Sequence, residues 1–184
     1  ADNCEGKLGV SRVITVDTTK GPKFGEPEGN PDFLARGEVV LTFDDGPMPK
    51  YTRPILAALA AQCTKATFFS VGEMAAEFPD VVKEIIAQGH TLGGHTWSHA
   101  NLKRLPDDRV KMQIEAAFTA LEHSAGTKVA PFFRFPYLSE SGPGLSHLAS
   151  RPTACSSWRP SCLTRLTILR RASTFAASPP TGWC

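Results

Sequence analysis

The stretch EVVLTFDDGP, Glu38 to Pro47, carries a compact β-branched and apolar run into two adjacent aspartates and a Gly-Pro pair. The run over Glu38–Phe43 predicts a buried strand. Asp44 and Asp45 fall where that strand must end. Asp-Asp-Gly-Pro is a good chain-reversal sequence in any protein, because Asp and Gly tolerate the dihedral angles that tight turns require. On their own the two carboxylates specify no more than a turn.

Downstream, the pattern alternates between strand and helix. Tyr51–Gln62 (YTRPILAALAAQ) is Ala- and Leu-rich, with Pro54 tolerable in a first helical turn. Lys65–Val71 (KATFFSV) predicts a second strand. A helix opens at Phe78-Pro79-Asp80 and stops at Gly89, and His90–Gly94 returns as a short strand. Pro106–His123 is the best amphipathic helix, with Val110, Ile114, Ala117, Phe118 and Leu121 on one face. Ala130–Tyr137 (APFFRFPY) is another strand candidate. Upstream, residues 1–37 are rich in Gly, Pro and charge and hold one alternating run, SRVITVD, that predicts an outer strand. Alternating strands and helices imply an α/β architecture with a parallel sheet.

Three polar clusters share one location in this scheme. Asp44-Asp45, His95 with His99, and Arg134 with Tyr137 each follow the C-terminal end of a predicted strand, the edge where parallel α/β folds build their sites. His95 and His99 are four residues apart. On an extended strand they would lie ~13 Å apart, too far to share a metal. If the chain turns helical after Gly94, their Cβ atoms come within ~6 Å. Two imidazoles and one carboxylate, with positions left for water, form the ligand set of a catalytic zinc site. The second aspartate can then take a proton from water, and Arg134 offers a planar fork of donors to hold it ionised. His90 reads as a structural residue at a strand start and His123 as a helix C-terminal one.

Length and composition are compatible with this. With 184 residues, 41% hydrophobic and 21% charged, the chain can bury one domain's core and is not of disordered type. The longest apolar run, Ile55–Ala61, is too short to span a bilayer. A net charge of +2 gives no global argument for nucleic acid. A start at Ala1 without Met fits a mature secreted or periplasmic protein whose signal peptide has been removed, and fits a trimmed chain equally well. The five cysteines are an odd number, which excludes complete pairing within one chain.

TFDDGP, HTWSH and RFPY, in that order and spacing, resemble the polysaccharide deacetylase family, the NodB-homology domain of carbohydrate esterase family 4. The similarity runs from about Glu38 to Ser150 and includes FFSVG and GHTLGGHTWSHANL. It implies a distorted (β/α) barrel and metal-dependent removal of acetyl groups from N-acetylated sugars in chitin, chitooligosaccharide or peptidoglycan. Carried over, Asp44 resembles the catalytic base, Asp45, His95 and His99 the metal triad, and Arg134 the arginine that orients the base. The backbone N–H of Tyr137 resembles the oxyanion donor. Thr42 and Thr96 lie in the motifs with supporting roles. The implied metal is zinc, with cobalt as the alternative. The implied partner is an acetylated glycan bound by a monomer, with no nucleic acid and no membrane span.

The resemblance stops near Ser150. The family's Asp- and Trp-based motif and its Leu-x-His motif, whose His protonates the leaving amine, are not found beyond it. His147, only ten residues past Tyr137 and in a predicted helix, is a poor substitute for that His. Residues 141–184 hold five arginines and no Lys, Asp or Glu, whereas residues 1–140 carry a balance of −3. Loss of acids with gain of Arg, Pro, Ser, Cys and Trp is what a GC-rich gene gives when read out of frame, and a divergent native tail is the alternative reading. The expected organisation is an N-terminal extension over 1–37, a truncated deacetylase domain over 38–150, and a non-homologous tail over 151–184. That tail is expected to pack poorly, to lie mostly exposed and to stay away from the metal triad. The barrel would then be incomplete at its C-terminal end. Two other readings follow from the missing acid: an inactive or weak carbohydrate-binding relative, or an O-acetyl esterase of xylan type, whose leaving alcohol needs less help.

Overall fold

The computed structural model describes residues 4–17, 34–151 and 163–170. Three parallel strands form the sheet that carries the polar clusters: β3 (Thr42–Asp44), β4 (Thr67–Ser70) and β5 (Thr91–Gly94), in that spatial order. The register sets Asp44 beside Phe69 and Ser70 beside Gly94, so successive strands end at one edge. Helices fill the crossovers: α1 (Pro49–Ala61) after β3, then α2 (Gly72–Glu77) and α3 (Pro79–Ala87) between β4 and β5. After β5 come α4 (Asp107–Ala125) and α5 (Gly142–Ser150). The α/β class with a parallel sheet is therefore observed. Among the described residues the sheet is open rather than closed into a barrel.

A second, antiparallel sheet joins the ends of the chain. β6 (Leu163–Arg170) lies between β1 (Arg12–Asp17) and β2 (Glu38–Val39), pairing Arg12 with Ile168 and Glu38 with Arg170. Part of the segment read as a non-homologous tail is thus an ordered strand: Thr164, Thr167 and Ile168 are β-branched within an otherwise Leu-rich run, which suits a pleated segment. Arg151 departs from the expectation that the tail lies mostly exposed. Its side chain is only 19% exposed, paired in bidentate fashion with Glu115 of α4 (2.8 and 3.3 Å) and stacked 3.8 Å over the ring of Phe118. The partner comes from distant sequence, which local charge counting misses. The expectations for 152–162 and 171–184 lie outside the described residues.

Local chemistry explains the remaining differences. The predicted strand Glu38–Phe43 is split, its first two residues joining the antiparallel sheet and its last part the parallel one. The Glu38 carboxylate is buried against Arg12 (2.7 Å) and the amide of Ala35 (2.8 Å), which anchors the upstream half elsewhere. The segment around Ala130–Tyr137 contributes an isolated parallel bridge, Phe133 to Gly94, made by the Gly94 N–H to Phe132 and the Arg134 N–H to Gly94, and Pro136 has no N–H with which to extend it. Helix α4 behaves as its periodicity requires: Val110, Ile114, Ala117, Phe118 and Leu121 are all buried, and the left-handed Gly126 (φ 68°) ends it. One core cluster, including Leu56, Phe68, Ile85 and Leu121, packs between sheet and helices. A second gathers Leu102, Ile114, Phe118 and Phe135. Cys4 and Cys63 form a disulfide that ties the N-terminal segment to the end of α1, while the other three cysteines lie outside the described residues.

Candidate active site

All six residues singled out from sequence converge at the C-terminal edge of the parallel sheet. Oδ1 of Asp45 lies 3.2 Å from Nε2 of His95 and 3.2 Å from Nε2 of His99. Ligand bonds of about 2.0–2.1 Å in a tetrahedron separate donor atoms by roughly 3.4 Å. One carboxylate oxygen and two imidazole nitrogens at this spacing therefore fit a single divalent cation. The three donors lie within 4.8 Å of one another. Exposure grades across the trio, from His95 (3%) through His99 (32%) to Asp45 (71%), so the site is rooted in the core and opens to solvent.

The histidines do not meet on a helix. After Gly94 the chain bends through Thr96 (φ 64°) and His99 (φ 54°), both left-handed, and the ring centroids stand 5.0 Å apart. A bend thus does what an i, i+4 helical pair was expected to do. Left-handed non-glycine residues cluster here. Asp45 (φ 71°), Tyr137 (φ 59°) and Leu138 (φ 50°) join Thr96 and His99, and Cys63 is the one such residue elsewhere among those described. Conformations of this kind cost energy and persist where surrounding contacts enforce them.

His95 is prepared for ligation. Its Nδ1–H donates to the carbonyl oxygen of Arg134 (2.8 Å), which leaves the Nε2 lone pair directed at Asp45 and His99. Burial pushes the His95 imidazole below its ordinary pKa, against the opposing pull of the Arg134 carbonyl and the Asp44 carboxylate, and so favours the neutral, ligating form. Thr96 Oγ1 donates to the His95 carbonyl (2.6 Å).

Asp44 faces the other way from its neighbour. Its Oδ1 accepts from Nη1 of Arg134 at 2.9 Å, and the same nitrogen reaches Thr42 Oγ1 at 2.8 Å. Arg134 is held by its own stacking, 4.3 Å above the ring of Phe69, in the partly buried setting that its flanking phenylalanines predict. Tyr137 packs its ring edge-on against His99 (4.7 Å), and its left-handed backbone belongs to the short 3-10 turn Pro136–Leu138. His147 sits on α5 with Nε2 2.7 Å from Glu115, in a pair separate from these groups. His90 is a core residue, its Nδ1 accepting the Ala66 N–H and its ring edge-on to Phe68.

One residue of this neighbourhood is not evident from sequence. Gln113 of α4 is 5% exposed and bonded to the loop that bears His99. The available signal is a polar side chain within the apolar stripe formed by Val110, Ile114 and Ala117.

Comparison with known proteins identifies the family. A family model described as polysaccharide deacetylase matches residues 34–149. A peptidoglycan-N-acetylglucosamine deacetylase of Bacillus cereus is 46% identical over 103 residues, covering 55% of this chain and 37% of that protein. A chitooligosaccharide deacetylase of Azorhizobium caulinodans is 36% identical over 102 residues, covering 55% and 49%. The chain thus spans half or less of the length of these two relatives. Among solved structures, a peptidoglycan N-acetylglucosamine deacetylase superposes with a TM-score of 0.59 at 40% identity, covering 61% of this chain and 52% of that one.

Proposed function

The chain belongs to the polysaccharide deacetylase family, and from that premise we propose that it hydrolyses N-acetyl groups of N-acetylglucosamine-containing polysaccharide. The observation that carries this reading is the division of labour between adjacent carboxylates. Asp45 joins two imidazoles, while Asp44 turns away to an arginine. Asp45, His95 and His99 would hold a divalent cation, zinc by preference for this donor set, with cobalt as a substitute. When bound, such an ion supplies Lewis-acid activation of water and of the acetyl carbonyl.

The chain's own groups do the rest. Asp44 accepts a proton from the attacking water, and Arg134 fixes its orientation. The Tyr137 N–H donates to the oxygen on which charge develops. His95 keeps its ligating tautomer through the Arg134 carbonyl. Residues 38–150 form the deacetylase unit in this reading, preceded by the extension over 1–37 and followed by the segment 151–184. A secreted or periplasmic location is supported by the Cys4–Cys63 disulfide, which suits an oxidising compartment. No helix among the described residues is long and apolar enough to cross a membrane.

A second reading has its own observation. Among the described residues no further acid is bonded into the site to protonate a leaving amine, since His147 is engaged with Glu115. An alkoxide departs with less assistance, so O-acetyl ester cleavage on xylan suffers less than amide cleavage. The test is acetate release by the zinc-loaded chain from chitooligosaccharide, peptidoglycan and acetylated xylan. Release from the N-acetylated glycans supports the primary reading, and release from xylan alone selects the esterase. No release from any, with glycan binding retained, would make the chain a binding relative.

A further inference from the structure

The two imidazoles of the triad are oriented by different means. The ring of His95 is fixed by its own hydrogen bond to Arg134. Nδ1 of His99 has no such partner among the described residues, so beyond the edge-on ring of Tyr137 its direction depends on the backbone that bears it. That backbone is the bend from Thr96 to His99, with left-handed residues at both ends.

The centre of this bend is gripped from two sides. From α2, the amides of Gly72 and Glu73 donate to the carbonyls of Thr96 (3.0 Å) and Trp97 (2.9 Å). From α4, Oε1 of Gln113 accepts both the Trp97 and Ser98 N–H groups at 3.0 Å, while its Nε2 donates to Ser98 Oγ at 2.9 Å. Gln113 therefore places three hydrogen bonds on two consecutive residues next to His99. An amide side chain in an apolar stripe is costly unless satisfied. Here its satisfaction is directed wholly at the bend. Hydrophobic packing of α4 would be served better by Leu or Met.

We propose that Gln113 is a positioning residue for the metal triad, setting the direction of His99 by holding the Trp97 and Ser98 amides. It touches neither the ion nor the substrate. The inference rests on the reading of Asp45, His95 and His99 as cation ligands, and the test separates the two. Groups that orient metal ligands typically alter affinity 10–100-fold when removed.

Cobalt and zinc affinities of the full chain would be measured by chelator competition for wild type, Gln113→Met, Gln113→Glu and His99→Ala, with the melting temperature of each metal-free protein. Gln113→Met keeps the volume and loses the acceptor, and its affinity is expected to fall about 10–100-fold. Gln113→Glu keeps an acceptor for both amides and should stay within a few-fold of wild type, even if its metal-free melting temperature falls. Should Gln113→Met not yield soluble protein, Gln113→Asn, one carbon too short to reach, is expected to show the same loss. Wild-type affinity in Gln113→Met or Gln113→Asn overturns the proposal, as does a Gln113→Glu loss equal to that of Gln113→Met. Equal affinity of wild type and His99→Ala would instead reject the triad itself.

Discussion

Arg134 binds Asp44 from one end and His95 from the other: its Nη1 meets the carboxylate at 2.9 Å, and its carbonyl oxygen receives the imidazole Nδ1–H at 2.8 Å. Side chain and backbone of one residue thus serve two different jobs, and substitution can separate them. Arg134→Met removes only the guanidinium. It is expected to retain the bound cation, because the carbonyl remains, and to hydrolyse more slowly. Asp44→Asn should behave likewise but more severely, with a fall of ~10²–10⁴ as for loss of a general base. Metal content and acetate release, measured side by side on each variant, check both expectations. If Asp44→Asn loses metal while Asp45→Asn keeps it, the two carboxylates have exchanged roles.

Removing a ligand should act on the metal first. His95→Ala deletes the most buried donor of the trio, leaving Asp45 and His99 as a two-point site. Elemental analysis of the purified protein is expected to show about one divalent ion per wild-type chain and far less in the variant. Equal content in both would mean that the cation, if any, sits elsewhere.

Gly72 is required by space rather than by backbone angle. A Cβ there would stand 2.7 Å from Trp97 Cε3 and 2.9 Å from the Ala117 Cα. The second contact is backbone of a buried helix and cannot swing away. Gly72→Ala is therefore expected to destabilise the fold by about 1–3 kcal/mol, the usual range for overpacking. Urea unfolding would measure it, and an unchanged midpoint would show that α2 and the bend can separate freely.

His90 makes stability depend on pH. Burial, with Lys65 adding repulsion, lowers its pKa from the ordinary 6.5 to about 4. Between those values the unfolded chain binds a proton that the folded chain refuses, so stability rises with pH across this window. The contribution is complete above about 6.5 and is lost progressively as pH falls towards 4, with a slope approaching ~1.4 kcal/mol per unit. His90→Gln removes the titrating group. The difference in unfolding free energy between wild type and this variant should change between about pH 4 and pH 7. A constant difference would mean that His90 protonates alike in both states.

What sequence could and could not supply follows from the range of the interactions. The strand ends were legible because apolar runs stop at Asp44, Gly94 and the Arg134 segment, and a parallel sheet collects such ends on one edge. The stripe on α4 was legible for the same local reason. The bend at Thr96–His99 was not. Its left-handed residues are Thr and His rather than Gly, and what enforces them is contributed by α2 and Gln113, far away in sequence. The division of Glu38–Phe43 between two sheets was hidden likewise, since it depends on Arg12 reaching the Glu38 carboxylate. Arg151 looked unpartnered because Glu115 lies outside any local window.

The antiparallel sheet has a consequence for the order in which the protein is made. Among the described residues β1 and β2 share no ladder with each other; each pairs with β6, at positions 130 to 156 residues later in the chain. Contacts of the parallel unit connect elements that leave the ribosome in close succession. The nascent chain therefore carries two strand-forming segments with open edges, one bearing the half-exposed Val13, until residues 163–170 have been synthesised. Open edges of this kind are where chains pair with one another. Synthesis halted between residue 151 and residue 163 should leave the parallel sheet formed and the polypeptide prone to self-association, with the two early strands still waiting for the one that closes them.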